Sequence, residues 1–261
     1  MNQEPPRFDG AQREPSTPEP VPAPQPVSVT LPLSAPYVTY VLIGITVLIY
    51  LLQVVTKALV EIDIPAVFLI KSNELIRAWQ VWRLFTSVLL HGSILHVGLN
   101  MYALFVLGTG LERYFGHGRF LLLYVIGAFT GNVASLLLTS VSYTLGAGSS
   151  IFGLLAAEGV FLFQNRRLFG GQARRAIGNV IFIVALNLFI VGLIPNVDIW
   201  GNIGGLLGGL FFAWYAGPVW DMESTPSGFT FVDRRPMREV IIGAVTVLSV
   251  FGAVAVWWIV K

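Results

Sequence analysis

Residues 145 to 157 read Leu-Gly-Ala-Gly-Ser-Ser-Ile-Phe-Gly-Leu-Leu-Ala-Ala, a small-residue run that carries two adjacent hydroxyls, Ser149 and Ser150, into an apolar stretch. A serine oxygen becomes a nucleophile only beside a base that takes its proton, with donors that hold the oxyanion formed on attack. The imidazole supply is three residues, His91, His96 and His117. His96 and Asn100 stand four apart and share one face of a helix. Asn202 opens another apolar stretch, but its amide is not a base at neutral pH. Lys57, Lys71 and Lys261 stand at or outside the ends of apolar blocks, so a Ser-Lys pair has no candidate. The chain has no cysteine, which excludes disulfides, thiolate catalysis and Cys-based metal sites. No cofactor and no metal are expected.

The elements that must position these groups belong in a bilayer. Of the 261 residues, 55% are hydrophobic and only 11% charged, with a mean hydropathy of +0.73, far from the composition of a soluble domain. Charge-free blocks near the length that crosses the hydrocarbon fall at 36–56, 94–111, 120–157 (two spans joined by a turn at 139–146), 176–195, 199–219 and 240–260. They are continuous rather than alternating, so seven helices are expected and not a barrel. Residues 1–35 hold nine of the fifteen prolines and read as a disordered cytoplasmic tail without a signal peptide. The division is then tail 1–35, six-helix core 36–219, connection 220–239 and seventh helix 240–261.

Eleven of the sixteen Lys and Arg residues lie in the tail and in the connections on its side. The excess of basic residues puts the N-terminus in the cytoplasm and the C-terminus outside, in a multi-pass protein of a plasma (inner) membrane. The net charge of +2 is too small and scattered to suggest nucleic acid; the expected partners are membrane lipid and transmembrane segments of other proteins.

Ser149, Gly153 and Ala157 in the fourth span, and Gly201, Gly205 and Gly209 in the sixth, have the small-residue spacing that lets helices approach closely. His96, Asn100, Asn202 and the 148–150 stretch share the external end of three helices, which points to a polar cavity. Glu158 lies deeper and is expected to be a buried structural acid, hydrogen-bonded within the bundle.

The stretch 82–116, from Trp82-Arg83 through His96-x-x-x-Asn100 to Glu112-Arg113-x-x-Gly116, resembles the signature of the rhomboid intramembrane serine proteases. That resemblance implies an all-α bundle of six core helices, here with a C-terminal seventh. It also implies a Ser-His dyad, with the serine in a G-A-S-G-x-I-F-G element opening the fourth helix and the histidine in an H-x-G-G element of the sixth. Here Gly146-Ala147-Gly148-Ser149-Ser150-Ile151-Phe152-Gly153 keeps both ends of the first element and puts Gly148 at the nucleophile position. Asn202-Ile203-Gly204-Gly205, with Gly209 one turn on, puts Asn202 at the base position. His96 and Asn100 take the family's oxyanion role.

With both dyad positions replaced, the resemblance implies the fold without the reaction: a non-proteolytic rhomboid-like protein that binds transmembrane segments. The alternative is an active intramembrane endopeptidase that uses Ser149, with His96 or a water as base.

Overall fold

A computed structural model describes residues 29–30, 33–139, 141–193, 197–226 and 228–261. The expected disorder of the tail falls mostly outside these residues. Long apolar runs without breakers form the helices α1 (Tyr37–Val60), α5 (Ile94–Phe115), α6 (His117–Leu138), α7 (Gly148–Gln164), α9 (Gly171–Leu193), α10 (Ile199–Ala216) and α11 (Met237–Val260). Short helices α2 (Ile64–Leu69), α3 (Asn73–Arg77), α4 (Arg83–Thr86) and α8 (Arg166–Phe169) lie in the connections. Capping side chains start two site helices: Ser93 Oγ accepts from the His96 N–H, and Asp198 accepts from the Gly201 N–H.

Among the described residues five helices, α1, α5, α6, α9 and α11, are long and apolar enough to cross a membrane, fewer than the seven spans expected; α7 is a shorter apolar helix. On α1, α5, α9 and α11 many large apolar side chains point outward, as a bundle in lipid allows, because hydrocarbon is as good a neighbour for leucine as another helix is. α6 is the central helix: 72% of its most apolar window is buried, against 6% for α9. The main helix contacts join α10 to α7 and to α6. Glycines make this possible. A Cβ on Gly205 would run into the Ser149 carbonyl, one on Gly209 into the Gly153 carbonyl, and one on Gly208 into the Thr130 side chain.

The connections are more ordered than apolar blocks suggest. β2 (Lys71–Ser72) pairs antiparallel with β3 (Tyr143–Thr144), tying the first connection to the 139–147 turn. At the opposite end of the bundle, β4 (Trp220–Thr225) and β5 (Gly228–Asp233) form a hairpin inside the 220–239 connection. The backbone of β1 (Val29–Thr30) joins β5 in parallel, so this part of the N-terminal segment is held in a sheet. Arg119 anchors the hairpin through Asp233 and the Arg235 carbonyl.

Candidate active site

The turn before α7 passes directly over α5. Gly146 has φ +114, and a Cβ there would stand 2.7 Å from His96 Cε1, so both backbone angle and space require glycine. Its N–H donates to the Ser87 carbonyl at 3.1 Å. Beside His96, the Asn100 amide bonds His91 Nε2 at 3.1 Å, and the two imidazoles meet edge to face at 4.9 Å between centroids. His91, in the loop before α5, is a member of this cluster that sequence reasoning missed. Nothing in its spacing marks it, because the loop folds back rather than following a helical period. Burial, and then the neighbouring His96, push its pKa down to about 4, against a small opposing effect of the Leu89 carbonyl. A neutral His91 that accepts at Nε2 carries its proton on Nδ1. One Asn100 N–H is thereby used, and the other has no partner among the described residues.

Gly148 and Asn202 face each other: a Cβ on Gly148 would lie 2.7 Å from Asn202 Oδ1. Ser149 is turned away from this pair toward α6. Its Cβ and the Gly201 carbonyl fill the space where a Gly131 side chain would stand, and the residue is 8% exposed. Ser150 is fully buried and donates to the Tyr124 carbonyl at 2.9 Å. The start of α7 thus brings together Gly146 with His96, and Gly148 with Asn202. It does not bring Ser149 onto His96.

The remaining motif residues are architectural. Arg83 is buried and donates to the Ile70 and Val67 carbonyls at 2.8 and 2.7 Å, organising the first connection. Trp82 is exposed and donates from Nε1 to the Phe68 carbonyl. Glu112 is fully buried and accepts from the Val38 and Thr39 N–H groups and from Thr39 Oγ1, all within 2.8 Å, which docks the start of α1 on α5. Its other contact is His117 Nδ1 at 2.6 Å. Arg113 is exposed, and its carbonyl accepts from the Ser34 N–H. Gly116, at φ +74, makes the turn into α6. Phe152 is buried in α7.

Two polar residues depart from expectation. Glu158 is half-buried and has no hydrogen-bond partner among the described residues, so it is not the satisfied structural acid expected; it sits in the last turns of α7, beside Gly159, which meets only Val180 of α9. Lys71, expected outside the spans, is in a connection but fully buried, with Nζ donating to Ser135 Oγ of α6 at 2.7 Å. Its ammonium is therefore committed to Ser135. Burial lowers its pKa to about 8, partly opposed by Asp198.

This has a consequence for stability. Between about pH 8 and 10.5 the unfolded chain holds a proton on Lys71 that the folded chain has released, so stability rises with pH across that window. The gain is of the order of 3 kcal/mol. Thermal unfolding in detergent from pH 7 to 11 is expected to show it, and Lys71→Met is expected to flatten the slope.

Comparison with known proteins matches the Rhomboid domain to residues 78–219. Rhomboid protease GluP of Bacillus subtilis (strain 168) is 37% identical over 179 residues, which cover 68% of this chain and 34% of that protein. RHOMBOID-like protein 1 of Arabidopsis thaliana is 39% identical over 130 residues, 50% of this chain and 33% of the relative. RHOMBOID-like protein 6, mitochondrial, from the same plant, is 36% identical over 137 residues, 52% and 44%. The matched part of the chain spans a third to less than half of the length of these relatives.

The relation to a protease corrects the expectation of a non-cleaving, pseudoprotease chain, and with it the lean away from an enzyme. That expectation rested on two residue identities. A glycine at 148 and an amide at 202 do not remove the hydroxyl of Ser149, nor the polar cluster of His91, His96 and Asn100. The matched domain covers the end of the first connection from residue 78, the His96–Asn100 helix, the glycine-rich start of α7 and the glycine face of α10. The chain belongs to the rhomboid family.

Proposed function

We propose that the protein is an intramembrane serine endopeptidase that cleaves transmembrane segments of other membrane proteins, with Ser149 as nucleophile. The observation that carries this reading is the 37% identity over 179 residues with a rhomboid protease. In this proposal Gly148 and Asn202 stand where the family keeps its nucleophile and its base, and the hydroxyl comes from the next residue. Ser149 is the serine of the pair that retains some exposure, since Ser150 is closed off and bonded to Tyr124.

The Asn202 amide is not basic and Ser149 does not stand on His96, so the proton of Ser149 passes to a water. Asn100 supplies the oxyanion donor from the N–H not used by His91. The core is six helices over residues 36–219, with a connection at 220–239 and a seventh helix at 240–261. The segment 1–35 and the arginine-rich ends of the helices face the cytoplasm of a plasma (inner) membrane, and the site opens toward the outer side. Substrate helices with weak helical propensity enter the polar cluster, where their backbone finds hydrogen-bond partners that lipid lacks.

A fluorophosphonate probe applied to membranes holding the full chain tests the assignment. Labelling is expected in the parent protein and in Ser150→Ala, and is expected to fall to background in Ser149→Ala. Undiminished labelling of Ser149→Ala, or none in a folded parent protein, would remove Ser149 from the mechanism.

A further inference from the structure

We infer that the junction of α7, α8 and α9 holds the headgroup of an anionic phospholipid. A cavity of about 410 Å³ lies there, lined by Arg166, Arg167 and Arg174 with Gly170, Ala173 and Ile177. The three arginines are exposed, and Ala173, which is buried, and Ile177 supply apolar lining.

Of the other arginines at the same end of the bundle, three are paired with carboxylates, while Arg113 and Arg238 have no such partner among the described residues. Arg119 pairs with Asp233, Arg234 with Asp221 and Glu223, and Arg235 with Glu239. Arg166, Arg167, Arg174 and the adjacent Arg175 have no carboxylate partner among the described residues. Arg166 is steadied instead by the Phe163 carbonyl at 3.0 Å and by the Phe163 ring, 4.8 Å from its guanidinium carbon. Like charges gathered without an acid call for an anion, and guanidinium forks suit phosphate oxygens.

The apolar side of the cavity selects a lipid over a free anion. Arg174, Ile177 and Ile181 follow one another along one face of α9 at three- and four-residue spacing. Ile181 is 63% exposed, and α9 as a whole is the least buried of the long helices. A phosphate held at Arg167 and Arg174 would therefore run its acyl chain over Ile177 and Ile181 into the hydrocarbon. Basic pockets at the ends of transmembrane helices are suited to such headgroups.

The test is native mass spectrometry of the full chain in detergent, titrated with dioleoylphosphatidylglycerol or dioleoylphosphatidylcholine. The parent protein is expected to bind the phosphatidylglycerol roughly tenfold or more tightly than the phosphatidylcholine. The preference should vanish in Arg167→Gln/Arg174→Gln, survive in Arg167→Lys/Arg174→Lys, and survive in the control Arg234→Gln/Arg238→Gln. These side chains are exposed, and unchanged unfolding temperatures verify that the variants fold. A preference that persists in the glutamine pair, or that is lost equally in the control, overturns the site. Displacement of the lipid by millimolar inorganic phosphate would overturn the lipid as its occupant.

Discussion

The double substitution Gly148→Ser and Asn202→His is expected to raise fluorophosphonate labelling and substrate turnover by at least about a hundredfold, the lower end of what a positioned general base contributes. The reason is geometric. A side chain at position 148 would begin 2.7 Å from the end of the Asn202 side chain, so the two positions already aim at one another. A small movement of the side-chain end, without movement of either helix, makes room for a hydroxyl against an imidazole. Replacing the amide supplies the basic nitrogen that asparagine lacks.

The site of reaction should move with the substitution. Peptide mapping should find the adduct on residue 148, and a further Ser149→Ala change should leave the labelling in place. Asn202→His alone should gain little, because Ser149 is turned toward Gly131 of α6 and not toward residue 202. A folded double variant that labels no faster than the parent would show that the facing of positions 148 and 202 is not a catalytic geometry.

The second large effect is structural. Gly205→Ala is expected to destabilise the protein by about 3 kcal/mol, the upper end of ordinary overpacking costs, and Gly205→Leu to prevent the fold from forming. The added Cβ would collide with the Ser149 carbonyl oxygen and stand 2.7 Å from its carbonyl carbon and 2.9 Å from its Cα. These are backbone atoms, so no rotamer change relieves the clash, and α7 must part from α10. Parting them would also displace the Ser149 backbone, so activity and stability should fall together. Gly44→Ala, on the lipid-facing side of α1 with nothing within 4 Å, is the comparison and should shift the unfolding temperature little. Thermal unfolding in detergent micelles checks both. If Gly205→Ala unfolds at the parent temperature, the close approach of α7 and α10 is not what holds the site.

The relation to rhomboid protease GluP also bears on how the site is read from residues. Gly148 and Asn202 were visible as departures from a pattern, and they suggested a protein without chemistry. Catalysis depends on which hydroxyls, waters and donors share a pocket, and two residue identities do not report that. His91 illustrates the point. Its ring stands against Asn100 and His96, yet it comes from a loop whose path no periodicity describes.

The sequence by itself determined the long apolar helices. Long charge-free runs mark the helices because hydrocarbon tolerates a backbone only when its polar groups are bonded within the segment, and the small residues at four-residue spacing in α7 and α10 marked the faces that meet, because only glycine and its like admit such close backbones. What only the tertiary structure decided is how each helix is rotated about its axis and which loop side chains are drawn inside. Rotation turned Gly148 toward Asn202 and Ser149 toward α6, since a step of one residue turns a side chain by about 100°. It also left Glu158 without the expected partner among the described residues. Folding of the connections buried Lys71 against Ser135 and Arg83 against two carbonyls, and it built a hairpin from residues that read as a plain link. Hydropathy and period describe a segment against a uniform solvent; these placements depend on which particular neighbour the packed bundle offers.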